Sequence, residues 1–142
     1  MERRRLSWAV GPIAALILAA CGGAVSDEYV REEPYSVETV DGDEAPRITL
    51  TESAVERLGI ETAVVGSRGD ELVVPYDAVF LDAHGDLWVY ANPEPFVFVR
   101  EPIDIVRETS DRAFLADGPP EGTHDVTVGV PELYGSETGF GT

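Results

Sequence analysis

The chain has 142 residues, with ten arginines, no lysine and 27 acidic residues, giving a formal charge of −17. That length bounds the fold to one domain, or one domain and a tail. The charge excludes a nucleic-acid partner, which needs a basic footprint, and the single cysteine excludes an internal disulfide.

Residues 1–20 read as a targeting segment. Arg3, Arg4 and Arg5 form a basic start, and Trp8 to Ala20 is apolar except for the break at Gly11-Pro12. The run falls short of the roughly 20 apolar residues that span a bilayer, and the small residues before Cys21 fit a cleavage site. Leu18-Ala19-Ala20-Cys21 resembles the lipobox of bacterial lipoproteins. The resemblance implies cleavage before Cys21, acylation of its thiol with diacylglycerol and palmitate-type chains, and an extracytoplasmic protein anchored in the cell membrane. The alternative is an ordinary secretory signal with an incidental cysteine. Stable anchoring takes more than one acyl chain, and members of that family characteristically carry three. Without residues 1–20, seven arginines face 26 acidic residues, a charge of −19. Such a surface repels anionic headgroups, so attachment falls to the lipid.

Residues 21–46 are expected to be an acidic, flexible tether. Eight acidic residues lie between Asp27 and Glu44, and a segment so charged and so poor in aliphatics cannot offset its ordering entropy. Residues 47–71 read as a short strand, a helix and a second strand. Thr51 is a good N-cap, Glu52 stands in the first turn, and Leu50 with Val55 has the spacing of a hydrophobic staple. Gly59 takes the left-handed position after the helix, which spans Glu52 to Leu58 and needs Ala54, Val55 and Leu58 packed to persist. Ile60 to Val65 follows as a strand, and Gly66 to Asp70 as a polar turn.

Residues 72–135 read as a β domain. Leu72–Val74, Ala78–Leu81, Leu87–Ala91, Phe96–Val99, Ile103–Val106, Arg112–Ala116 and Asp125–Gly129 are strand-like runs separated by turn signals. Asp82 to Asp86 is a hairpin loop with Gly85 available for a positive φ, and Asp117 to Gly122 is a loop. Residues 136–142 are expected to be a flexible tail. The fold class expected is all-β with one short helix, a small β-roll or barrel.

Several stretches are similar to the periplasmic adaptor, or membrane fusion, proteins of bacterial efflux pumps. Val74-Pro75-Tyr76-Asp77-Ala78-Val79 resembles the family's V-P-x-x-A-V strand start, and Trp88-Val89-Tyr90 its central strand. Phe98 to Ile103, the loop Ala116 to Gly122, and Val126 to Gly129 followed by Glu132 to Gly135 continue the likeness in the family's order. Together they cover residues 73–135 and correspond to the family's membrane-proximal β domain. Ile48 to Thr62 resembles the segment that opens many heavy-metal-type adaptors. Those proteins carry a barrel, a lipoyl-like domain and a helical hairpin between the two regions, where this chain has only Gly66 to Leu72. The resemblance implies a lipid-anchored adaptor-like binding or assembly protein whose partner is an inner-membrane transporter of an efflux system. The alternatives are a truncated adaptor without a transport role, or a lipoprotein that binds a small ligand or a metal.

The residues favour a binding module over an enzyme. No G-x-S-x-G elbow, dinucleotide fingerprint or phosphate loop occurs, and no cofactor is implied. His84 and His124 are the only histidines and stand forty residues apart, so no metal site is expected. Asp41 to Glu44 lacks the frame of a calcium loop. Trp88, Tyr90, Phe96 and Phe98 have two readings, cross-strand core pairs or contacts to a partner, since aromatics are enriched at interface centres. Arg100 and Arg107 are expected to pair locally with Glu101, Asp104 or Glu108.

Overall fold

A computed structural model describes residues 33–39, 42 and 45–139. The targeting segment, Cys21, most of the tether and residues 140–142 lie outside the described residues. The fold is all-β, built from two sheets with short helices, and neither sheet closes into a barrel. The expected roll therefore keeps free edges.

The seven-stranded sheet contains β1 (Tyr35–Glu38), β2 (Arg47–Leu50), β3 (Glu61–Val64), β6 (Phe80–Leu81), β7 (Leu87–Glu94), β8 (Val97–Pro102) and β11 (His124–Val128). Its order is β1-β2-β8-β7-β11-β3, and β6 also pairs with β7. The four-stranded sheet has the order β4-β5-β10-β9, formed by β4 (Gly66–Arg68), β5 (Glu71–Pro75), β10 (Arg112–Asp117) and β9 (Asp104–Glu108). All pairings are antiparallel.

Helix α1 (Glu52–Leu58) forms as its capping residues dictate. The Thr51 side chain accepts from the Ala54 N–H, and Gly59 is left-handed at φ 65°. Leu50 and Ala54 are buried, and Val55 and Leu58 pack against the same cluster. A two-turn helix persists because that face is covered.

Four expectations are corrected. Tyr35–Glu38 falls in the segment read as tether, yet it pairs with β2 in the register Tyr35↔Leu50 to Glu38↔Arg47. Tyr35 packs on the core, and that contact with the ladder offsets the ordering cost that charge alone could not. Gly66–Arg68, read as a turn, is a strand, and the reversal narrows to Gly69 and Asp70. The tail expected from residue 136 continues a helix, α2 (Val130–Thr138), with Pro131 and Glu132 at its start and left-handed Gly139 at its end. Nor is there a structural boundary at residue 71: β2 pairs with β8 and β3 with β11, so the opening segment is part of the main sheet.

Two hydrophobic clusters result. Helices α1 and α2 cover one face of the seven-stranded sheet, closing over Ile48, Tyr90, Phe98 and Val126. The second cluster, Val65, Val74, Ala113 and Leu115, lines the inner face of the four-stranded sheet. A 3-10 turn, Tyr76–Ala78, links β5 to β6 and packs against β11 and β10. No helix among the described residues is long and apolar enough to cross a membrane.

Candidate functional site

The β7–β8 hairpin carries the four aromatics singled out from the sequence, and the fold separates them. Tyr90 and Phe98 are fully buried in the first cluster. They are core residues, and the partner-contact reading is corrected for both: α1 and α2 close over the sheet face they share. Trp88 is half-buried at the open end of the hairpin, opposite Pro102. Phe96 is at the tip and 38% exposed.

The tip is a built structure. Phe96 is the one non-glycine residue among those described with a positive φ, 65°. Its carbonyl accepts from the Leu50 N–H at 2.9 Å, which ties the strained turn to β2. The Asn92 side-chain amide donates to the Glu94 and Val97 carbonyls, both at 2.7 Å. Arg47 and Glu94 approach to 3.7 Å across the same corner. A left-handed conformation costs a residue with a Cβ roughly 1–2 kcal/mol, so the surroundings hold an aromatic where glycine would sit without strain. Beside the tip, Thr62, Asn92, Pro93, Glu94, Pro95 and His124 line a cavity of about 460 Å³.

At the other end of β8, Arg100 is the hub of a long-range network. Its guanidinium lies 2.9 Å from Glu137 of α2 and 3.4 Å from Asp82. It stacks 4.1 Å from the Trp88 ring centroid. Glu137 also accepts from the Tyr90 hydroxyl at 2.6 Å, Phe80 stacks on Tyr90, and Tyr134 accepts from the Ala83 N–H at 3.2 Å. The local pairing expected for Arg100 with Glu101 or Asp104 is therefore corrected. Strand alternation puts Glu101 on the opposite face from Arg100, whereas α2 brings Glu137 to it. Arg107 likewise reaches Glu71 at 2.7 Å instead of Glu108.

Electrostatics follow from these contacts. Burial works against the Asp82 charge, but the backbone N–H groups of Asp86 and His84 outweigh it and hold the carboxyl down at about 2. Burial, then the Glu137 hydrogen bond, pushes the Tyr90 hydroxyl far up. Asp125 on β11 is different. It is completely buried, and neither carboxylate oxygen has a hydrogen-bond partner among the described residues. Burial first, and the Glu101 charge second, push it up to about 7. Burial also raises Glu101. Asp125 was not distinguished in the sequence from other acidic residues of strands. Its signal is an acid next to Val126 on a strand that turns out to be central, with both faces covered.

His84 is exposed on the 82–86 loop, where Gly85 has φ 90°. His124 opens β11, 3.3 Å from the Thr62 hydroxyl. No three His, Cys, Asp or Glu side chains among the described residues converge to hold a metal. The arrangement thus defines an all-β, two-sheet domain that presents a rigid aromatic hairpin tip at one end and a helix locked by arginine at the other. No protein-family model matches the chain, and neither a curated protein nor a solved structure matches it.

Proposed function

We propose that the chain is an exported protein, anchored through acylated Cys21, that acts as an adaptor-like docking module on an inner-membrane transporter of an efflux system. The observation that carries this reading is the hairpin tip. An aromatic ring stands out on a turn braced by Asn92 and held to β2, and the braced turn keeps Phe96 pre-ordered. Pre-ordered aromatics lose little freedom on association and concentrate binding energy. Further support comes from the lipobox-like Leu18 to Cys21 and from the adaptor-like order of motifs over residues 73–135. That region and Ile48 to Thr62 contribute strands to one shared sheet, so the domain is continuous without the missing barrel and hairpin.

The test uses the full chain expressed in a bacterial host. Mass spectrometry is expected to find the mature N-terminus at Cys21 with acyl chains, and Cys21→Ala to release the protein from membranes. Phe96→Gly removes the ring and relieves the left-handed strain, so the fold is retained. That variant is expected to lose co-purification with the transporter while its thermal midpoint stays close to that of the parent chain. An unacylated N-terminus, or a Phe96→Gly chain that keeps its transporter partner, would refute the reading.

A further inference from the structure

The four-stranded sheet has an outer face whose chemistry the docking reading does not use. Residues opposed across an antiparallel pair share a face, and alternate residues along a strand share it too. The registers Gly66↔Val73, Arg68↔Glu71, Phe114↔Val73, Arg112↔Pro75 and Phe114↔Arg107 put all of these side chains on one side of the sheet. The other side carries Val74, Ala113 and Leu115 of the second cluster. The described residues hold six arginines: Arg47, Arg57, Arg68, Arg100, Arg107 and Arg112. Three of them therefore stand on one face of a chain whose formal charge is −17.

Their partners are unequally shared. Arg107 is committed: it pairs with Glu71 at 2.7 Å, and its guanidinium lies 3.3 Å from the Phe114 ring centroid. Arg68 has no carboxylate within ion-pair distance among the described residues, and Arg112 has only Asp111, through Nε at 3.7 Å, with both side chains more than half exposed. Arg68 and Arg112 both line a cavity of about 350 Å³ whose remaining walls are Gly66, Ser67, Val73 and Phe114. Val73 and Phe114 are buried although they lie on the outer side, so the cavity has an apolar floor beneath Arg68, which has no ion-pair partner among the described residues, and Arg112, which has only the long, exposed contact to Asp111. Gly66 makes the room. A Cβ there would meet only the Val73 carbonyl, at 3.9 Å.

We infer that this cavity binds an organic anion, with a phosphate or carboxylate held between Arg68 and Arg112 and an apolar or planar part resting on Val73 and the edge of Phe114. Guanidinium groups give charge-assisted, often bidentate hydrogen bonds to such oxygens. The acidic remainder of the surface does not cancel the site at physiological salt, where the screening length is about 8 Å. Glu71 offsets one of the three local positive charges and is itself occupied by Arg107, and Asp111 offsets part of the Arg112 charge from 3.7 Å, so Arg68 is the one of the three with no carboxylate within ion-pair distance among the described residues. The chemistry is common to an anionic lipid headgroup and a soluble aryl or alkyl phosphate.

The experiment titrates the full mature chain, carrying Cys21→Ala so that no anchor drives vesicle binding, with phenyl phosphate and separately with phosphatidylglycerol vesicles. Amide chemical shifts are the readout. Saturable shifts are expected at Gly66–Arg68 and Arg112–Phe114 with at least one probe, weakening as salt rises. Response to vesicles alone assigns the lipid source, and response to phenyl phosphate assigns a soluble ligand. Arg68→Gln with Arg112→Gln is expected to weaken binding about tenfold or more, because both charged hydrogen-bond donors to the anion are removed. Gly66→Leu fills the cavity from a position where a side chain is accommodated, and is expected to block binding with the remaining spectrum unchanged. Absence of saturable shifts with both probes, or binding that survives both sets of substitutions, overturns the inference.

Discussion

The two faces of the seven-stranded sheet treat buried carboxylates in opposite ways. On the face covered by the helices, Asp82 and Glu137 have Arg100 between them, and backbone N–H groups or the Tyr90 hydroxyl complete their hydrogen bonding. On the other face, Asp125 is buried with no hydrogen-bond partner among the described residues and with a second acid, Glu101, acting on it. Burial is comparable, and the outcomes diverge because one face supplies a cation and donors while the other supplies alkyl groups and like charge. A carboxylate in the first setting fastens a helix to a sheet; a carboxylate in the second holds a proton near neutral pH.

The largest expected effect comes from removing the cation. Arg100→Met leaves Glu137 buried opposite methyl and methylene groups, and breaking such a pair costs about 3–5 kcal/mol. Urea unfolding is expected to show that loss, and Glu137→Leu added to it to recover part, because the orphaned charge is then gone. If Arg100→Met is neutral, the two faces are not as different as their contacts make them.

Next is the pH dependence set by Asp125. Its folded pKa, about 7, lies above the ordinary carboxyl value. The native state therefore binds the proton more tightly than the unfolded chain, and this group lowers stability as pH rises from about 4 to about 7, then adds nothing further. The whole fall is on the order of 4 kcal/mol. Asp125→Asn is expected to abolish it, leaving the variant less sensitive to pH across that window and more stable than the parent at pH 8. Denaturation midpoints measured from pH 4 to 8 decide the matter; parallel curves for parent and variant would contradict the assignment.

A smaller effect sharpens the same contrast. Glu101→Gln removes the negative neighbour, so the Asp125 carboxyl is expected to titrate below 7, with the stability fall displaced toward acid. Carbon-13 titration of the Asp125 side chain measures the displacement directly.

Much of this fold is written locally. Thr51, Glu52 and Gly59 announce α1 with both ends in place, because caps act within a few residues. Gly85 and the Asp82 side chain, which accepts from the His84 and Asp86 N–H groups, likewise make the 82–86 loop legible. What stays hidden depends on distant chain. The strand Tyr35–Glu38 exists by pairing with β2 and packing Tyr35 on the core, neither of which its acidic composition reveals. Helix α2 has a proline start and a glycine end, but Gly135 in its middle weakens the pattern by about 1 kcal/mol relative to alanine, and its packing partners include β1, β2 and Tyr90, all far earlier in the chain. The burial of Asp125 needs both faces of β11 covered, which alternation along one strand cannot show. Of the candidate contact residues, exposure separates Phe96 from Tyr90 and Phe98: Phe96 stands on the positive-φ turn between the strands, whereas the other two lie within β7 and β8 in the cluster the helices cover.

The proposed docking role rests on the hairpin tip meeting a membrane protein, and position 96 can report it. A photoreactive phenylalanine analogue placed there in the full chain, irradiated in intact cells, is predicted to form adducts with a polytopic transport protein, and to lose them when Cys21→Ala frees the chain from the membrane. Adducts confined to soluble proteins, or a transporter adduct that persists without the anchor, would contradict an anchored docking module.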